Sequence, residues 1–150
     1  MKAVIQRVQQ ASVKVDGELI SAIDQGILVL LGITSTDNKE DIDWLSRKIA
    51  NLRIFNDENG VMNLSLKDVG GETIVVSQFT LMANTKKGNR PSYTKAANAE
   101  VAVPLYKEFI STFEALVGKK IGTGQFGADM KIELLNDGPV TIIIDTEYKQ

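Results

Sequence analysis

The stretch Leu134-Leu135-Asn136-Asp137-Gly138-Pro139-Val140-Thr141-Ile142-Ile143-Ile144 places two strand-like apolar runs on either side of a Gly-Pro step. Pro139 has no backbone N–H and therefore no place in a central sheet ladder. Gly138 adds freedom of φ, and an X-Pro bond is the one peptide for which a cis geometry carries little cost. The stretch predicts strands near Met130–Leu135 and Val140–Asp145 with a rigid backbone corner between them. Taken alone, the dipeptide favours the plainer reading, an ordinary turn between two strands.

Upstream of that corner the chain reads as strands, helix, strands, helix. Lys2–Val8 alternates around Val4 and Val8, and Ser12–Val15 and Glu18–Ile23 flank Asp16-Gly17, a hairpin turn signal. Gly26 opens Ile27-Leu28-Val29-Leu30-Leu31, apolar on both faces as a central buried strand must be. A helix follows, with Thr36 or Asp37 as its cap, acidic residues near its start, and Arg47 and Lys48 near its end. Ile42, Leu45, Ile49 and Leu52 recur at helical spacing and form its buried face.

Leu52–Phe55 predicts a further strand ending at the turn Asn56–Gly60, and Glu72–Ser77 a β-branched one. A second helix is expected over Val103–Val117, with Pro104 in its first turn, Gly118 as its stop, and Leu105, Phe109, Phe113 and Leu116 on its apolar face. That order predicts an α+β fold in one domain, residues 1–150, with a mixed sheet and helices packed on one side.

Composition excludes more chemistry than it suggests. The chain has 150 residues and a net charge of −2, with 43% hydrophobic and 24% charged residues, which are globular values. No apolar run is long enough to span a membrane, and the first residues lack the features of a signal peptide, so a cytoplasmic location is expected. There is no cysteine and no histidine. Thiolate nucleophiles, Ser-His-Asp triads and the commonest zinc ligands are thereby ruled out. No metal or cofactor site is expected. An enzyme with this composition works with hydroxyls, carboxylates, lysines, backbone dipoles or groups borrowed from its substrate.

Two segments remain where chemistry could reside. Between Glu72 and Glu100 no acidic residue occurs, yet Lys86, Lys87, Arg90 and Lys95 all lie there, a local charge of +4 in an acidic chain. The segment reads either as a solvated loop or as a patch that positions a nucleic-acid backbone without reading its sequence. Just before it, Ser77-Gln78-Phe79-Thr80-Leu81 gathers two hydroxyls and an amide where a buried strand emerges into a loop. Ser77 and Thr80 could simply satisfy backbone groups. As nucleophiles they lack a histidine base. Backbone N–H groups at the strand exit could instead form an oxyanion pocket.

Together, Ser77-Gln78-Phe79-Thr80-Leu81 and Asn136-Asp137-Gly138-Pro139-Val140-Thr141 resemble the two signature motifs of the D-aminoacyl-tRNA deacylases. The likeness extends through Ile5-Gln6-Arg7-Val8, Leu52-Arg53-Ile54-Phe55, Met62-Asn63-Leu64-Ser65, Lys86–Ser92 and Gly124–Met130. It implies a mostly antiparallel, barrel-like sheet with two main helices. It also implies an ester hydrolase acting on tRNA charged with a D-amino acid or with glycine.

The same resemblance implies a homodimer in which the Gly138-Pro139 corner, with a cis peptide, enters the partner's active site and excludes L side chains. Phe79 would polarise the ester carbonyl through its backbone, with Ser77 and Gln78 shaping the pocket. The tRNA's own 2′-OH would help activate the attacking water; direct attack by the Thr80 hydroxyl is the second-ranked alternative. Arg7 would brace the corner, Met130 would contact substrate, and Lys86, Lys87 and Arg90 would meet the tRNA end. Neither DNA nor a membrane is expected as a partner.

Overall fold

The computed structural model describes residues 1–149; Gln150 lies outside the described residues. Its elements are β1 (Lys2–Val15), β2 (Glu18–Ile23), β3 (Gly26–Gly32), α1 (Lys39–Ala50), β4 (Phe55–Asn56), β5 (Met62–Leu64), β6 (Glu72–Ser77), α2 (Ala99–Val117), β7 (Gly122–Thr123) and β8 (Met130–Asp145). A 3₁₀ turn over Phe79–Met82 follows β6, and another over Thr146–Tyr148 follows β8. None of the described helices is long and apolar enough to cross a membrane.

One long strand organises the sheet. The two apolar runs at Lys2–Val8 and Ser12–Val15 are a single strand, β1, which pairs antiparallel with β3 through its first half and with β2 through its second. The turn between β1 and β2 is the predicted one, with Asp16 and Gly17 both at positive φ, 50° and 79°. β3 then pairs parallel with β6, and β6 with β7. α1 lies in the crossover between β3 and β6, and α2 in that between β6 and β7, as parallel neighbours require. Ser21 Oγ donates to Thr123 O at 2.6 Å and accepts from Thr123 N at 3.0 Å, drawing β2 to β7 and nearly closing the sheet. The predicted α+β, barrel-like, mixed sheet is therefore the observed one.

Both helices cover one face of this sheet. Ile42, Leu45 and Ile49 of α1 and Tyr106, Phe109 and Phe113 of α2 pack with Ala3, Ile5, Val29, Leu31 and Val75. Each of these large side chains contributes on the order of 1.5–3 kcal/mol by leaving water. Val8, Val13, Leu28, Ile74 and Val76 form a second apolar cluster. β3 thus supplies both clusters, as its doubly apolar sequence demands.

Several expected boundaries move. α1 is capped by Asn38, whose side chain accepts from Glu40 N and Asp41 N while Asp41 reaches back to Asn38 N, a capping box. Asp37 is turned inward instead and accepts from Thr34 N at 2.7 Å and from the Met1 ammonium. α2 begins at Ala99, four residues before the predicted start, capped by Asn98. Pro104 therefore sits in the second turn; both it and Glu100 are exposed, so the carbonyl it leaves unpaired faces water. Leu105 and Leu116 only flank a buried stripe made of Ala102, Tyr106, Phe109 and Phe113. The Leu52–Phe55 strand contracts to Phe55–Asn56, paired with β5.

The largest departure lies at the Gly-Pro step. The segment is no reversal between two strands, because both flanks pair with the same strand, β1, and β8 runs without a break from Met130 to Asp145. Thr141–Asp145 pairs with Lys2–Gln6, and Met130–Leu135 with Gln10–Val15. Between these registers, with Asn136 opposite Val8, the four residues Asp137–Val140 face the single residue Arg7. The excess length leaves the ladder as a bulge, and the corner stands at its tip.

Candidate active site

The β6 strand ends where its pairing with β3 ends, at Ser77 opposite Leu31. Gln78 N donates to Leu31 O at 2.8 Å, and the chain then winds into the Phe79–Met82 turn. In that turn Leu81 N reaches Gln78 O and Ala83 N reaches Thr80 O. The N–H groups of Phe79 and Thr80 open the turn and so have no acceptor within it. The Gln78 side-chain amide donates to Thr80 Oγ1, which ties that hydroxyl to its neighbour.

Beside this turn lies a cleft of about 270 Å³. Ser77, Gln78 and Phe79 line it, as does Met130, so the structure brings together four of the predicted site residues. The apolar walls come from Leu31, Ile33, Val76, Ala102 and Ile132. Opposite the turn runs Phe126-Gly127-Ala128-Asp129, which belongs to the Gly124–Met130 likeness but, unlike Met130, was given no role there. Its Gly-rich composition and its place just before a strand were the available signal.

Tyr106 holds this loop in place. Its hydroxyl donates to Val75 O at 2.6 Å, its ring lies 6.1 Å from that of Phe126, and it meets the backbone of Gly124. Burial pushes its pKa up to about 12, although the Gly124 backbone hydrogen bond pulls the other way. A Cβ at Gly124 would meet Met130 Sδ, so a side chain there would displace the Met130 thioether from the cleft wall.

The cationic segment is a loop with a closed root. Asn84 and Ser92 exchange backbone hydrogen bonds of 2.8 and 2.9 Å, and the exposed tip carries Lys86, Lys87 and Arg90. Tyr93, just past the root, packs edge-on against Phe79 with centroids 5.1 Å apart. Among the described residues none of Lys86, Lys87, Arg90 and Lys95 pairs with a carboxylate. None of them lines the cleft.

The Gly138-Pro139 corner and Arg7 also lie outside the cleft of the same chain. The peptide between Gly138 and Pro139 is cis, and both residues are exposed. Arg7, only 6% exposed, stands directly beneath the bulge. Its Nε donates to Asp137 O at 3.0 Å and its Nη1 to Ile54 O at 2.7 Å, with Asp137 Oδ2 3.5 Å from Nε. Arg7 is therefore a buried tie between the bulge and the Ile54 backbone.

Asn136 was missed as a functional candidate although it lies within the quoted motif. Its Nδ2 donates to Arg7 O and to Val140 O, both at 3.0 Å, so one amide spans the base of the bulge. Gly138 sits at φ +131°, where a Cβ would lie 2.8 Å from Val140 Cγ2 and 3.1 Å from Arg7 Nη2. Nothing but glycine fits there without a shift. Among the described residues no group of three or more His, Cys, Asp or Glu side chains could hold a metal ion.

Over all 150 residues the chain is 63% identical to the D-aminoacyl-tRNA deacylase of Flavobacterium psychrophilum and 64% identical to that of Christiangramia forsetii, covering 100% of each. To the protein of the same name from Bacteroides fragilis it is 60% identical, again over 100% of both chains. A solved structure named c-Myc DNA Unwinding Element Binding Protein superposes with a TM-score of 0.91 at 44% identity, over 97% of this chain and 99% of that one. Another, described as a "probable eukaryotic D-amino acid tRNA deacylase", gives 0.83 at 15% identity over 95% and 97%, a likeness of fold alone. The family model described as D-Tyr-tRNA(Tyr) deacylase matches residues 4–145, and the chain belongs to that family.

Proposed function

We propose that this chain hydrolyses the ester between a D-amino acid and the 3′-terminal adenosine of a tRNA, in the cytoplasm, as a chirality proofreading step of translation. The observation that carries the reading is the Ser77-Gln78-Phe79 edge of an apolar cleft in a chain that matches deacylases from end to end. Glycine esterified to tRNA is a substrate on the same terms, having no side chain to exclude.

The ester carbonyl would lie against the open N–H groups of Phe79 and Thr80, which stabilise the oxyanion as water adds. The 2′-OH beside the ester assists that attack. The tetrahedral intermediate then expels the 3′ oxygen, which leaves as a hydroxyl with the proton released by the water. An aminoacyl ester is already activated, so orientation and a modest oxyanion pocket suffice. Ser77 and Gln78 shape the pocket, Met130 and Phe126 enclose it, and Thr80 serves through its backbone and not as a nucleophile.

Selectivity would come from the Gly138-Pro139 corner of a second copy. Within one chain the corner is exposed and away from the cleft, which is how an element donated to a partner would look. β8 pairs only with β1 among the described residues, leaving its outer edge open, and Leu135 and Ile143 expose 49% and 67% of their surface. In the homodimer, carbonyls of the corner accept from the substrate ammonium while the backbone occupies the space an L side chain needs. Lys86, Lys87 and Arg90 then meet the tRNA backbone.

The test is deacylation of matched D-Tyr-tRNA and L-Tyr-tRNA. Rapid loss from the D ester and much slower loss from the L ester are expected, and equal rates would sink the gating argument. A substrate ending in 2′-deoxyadenosine should react poorly, whereas Ser77→Ala and Thr80→Ala should keep appreciable activity. A non-catalytic RNA-binding role is the second reading, favoured by the cations of the Lys86–Lys95 segment, which have no carboxylate partner among the described residues. It predicts binding of uncharged tRNA without loss of an esterified D-amino acid.

A further inference from the structure

A second hollow of about 910 Å³ lies next to the cleft. The two adjoin at three places: Ile33 lines one and Thr34 the other, Phe79 one and Met82 the other, Ala97 one and Lys95 the other. At Phe79 and Met82 the two are a single 3₁₀ turn apart, on the order of 6 Å along its axis.

The lining of the hollow is unlike that of a structural crevice. Tyr148 stands in it 69% exposed, an aromatic ring that the core does not use. Lys86 and Lys95 line it without an ion pair among the described residues, beside the hydroxyls of Thr34, Ser35 and Thr94. Carboxylates reach it too, but Asp37, Asp41 and Asp145 are each held by a cation: the Met1 ammonium, Lys149 and Lys2. Among the described residues, Glu147 is the one acidic group of the lining left without a cation, against two lysines without a carboxylate.

An exposed aromatic face with cations and hydroxyls around it is what a single-stranded nucleic acid requires: stacking for a base, charge and hydrogen bonds for its phosphates. Resting on the deacylase reading, we propose that this hollow receives the unpaired nucleotides that precede the terminal adenosine of the tRNA. One base stacks on Tyr148, and Lys86 and Lys95 hold the adjoining phosphates. The contact reads no sequence. It lets one enzyme take tRNAs of every identity, and it sets the direction in which the chain of nucleotides leaves the cleft.

The test compares D-tyrosyl-tRNA with D-tyrosyl-adenosine, which has the ester and the terminal nucleoside but nothing before them. Tyr148→Ala should raise KM for the tRNA about tenfold with kcat unchanged and no matching rise for the adenosine ester; Tyr148→Phe, which keeps the ring, should restore the tRNA KM. Lys95→Ala should flatten the fall of log(kcat/KM) with log salt for the tRNA by about 0.7. A KM for tRNA that does not move, or that moves in parallel with that of the adenosine ester, overturns the hollow and leaves the deacylase reading standing. If the unaltered chain turns over neither ester, both fall.

Discussion

Asn136 is the narrowest point of support for the Gly138-Pro139 corner, and replacing it tests how the corner is held. Its Nδ2 serves two carbonyls at once, Arg7 O on β1 and Val140 O on the far side of the bulge. Asn136→Ala removes both bonds from a half-buried place, at about 1 kcal/mol each net, so a loss of about 2 kcal/mol is expected. For a chain of this length that lowers Tm by roughly 4–8 °C.

Asn136→Asp is the sharper variant, because it nearly keeps the volume and turns a donor into an acceptor. At neutral pH the new carboxylate faces two carbonyl oxygens, which holds its folded pKa above the unfolded value of about 3.9. The folded state then binds more protons than the unfolded one over that interval, so stability falls as pH rises from about 4 through the raised pKa. Urea denaturation at matched protein concentration, at acidic and at neutral pH, should show Asn136→Asp as the weaker variant at neutral pH and close to Asn136→Ala in acid. Both should erode the D-over-L rate ratio more than the D rate itself. Stability and rate ratio like those of the unaltered chain would refute the idea that this amide sets the corner.

Gly138→Ala forces a side chain into positive φ against Val140 and Arg7, a cost of about 1–3 kcal/mol, visible as a lower urea midpoint. Tyr106, with its pKa pushed up to about 12, keeps its proton better folded than unfolded, so stability drains away between pH 10 and pH 12. Over that range the unaltered chain should lose on the order of 2–3 kcal/mol more than Tyr106→Phe in paired denaturation curves. Asn38→Ala removes the cap of α1 and should cost about 1 kcal/mol, read as a shift in urea midpoint. Replacing Lys87 and Arg90 with alanine should lower kcat/KM for tRNA most at low salt, with a smaller salt slope than the unaltered chain shows.

Strong periodicity made much of this fold legible. β6 has the predicted bounds, β3 is buried on both faces, and α1 buries Ile42, Leu45 and Ile49 as their spacing required. The start of α2 was hidden because its first turn, Ala99-Glu100-Val101-Ala102, buries only a small alanine, and Pro104 drew the expected boundary to itself although its exposed position makes it tolerable. The continuity of β8 was hidden for a different reason. Gly-Pro is a local signal for a turn, whereas the register on both sides is set by β1, more than a hundred residues away. Of the candidate site, Ser77, Gln78, Phe79 and Met130 meet in one cleft; the facing Phe126–Asp129 wall and the Asn136 tie lie inside family-like segments, but the long-range contacts that give them a role are not legible there.

The bulge in β8 also bears on how such a chain could be re-engineered. Four residues project opposite Arg7, and the two flanking registers are each fixed independently by β1. A residue added or removed within Asp137–Val140 would change the reach of the corner while leaving every strand pair in step. The same change a few positions away would turn one face of β8 inside out. The corner is thus an interchangeable tip on a fixed handle, the one stretch of this strand whose length is free to vary.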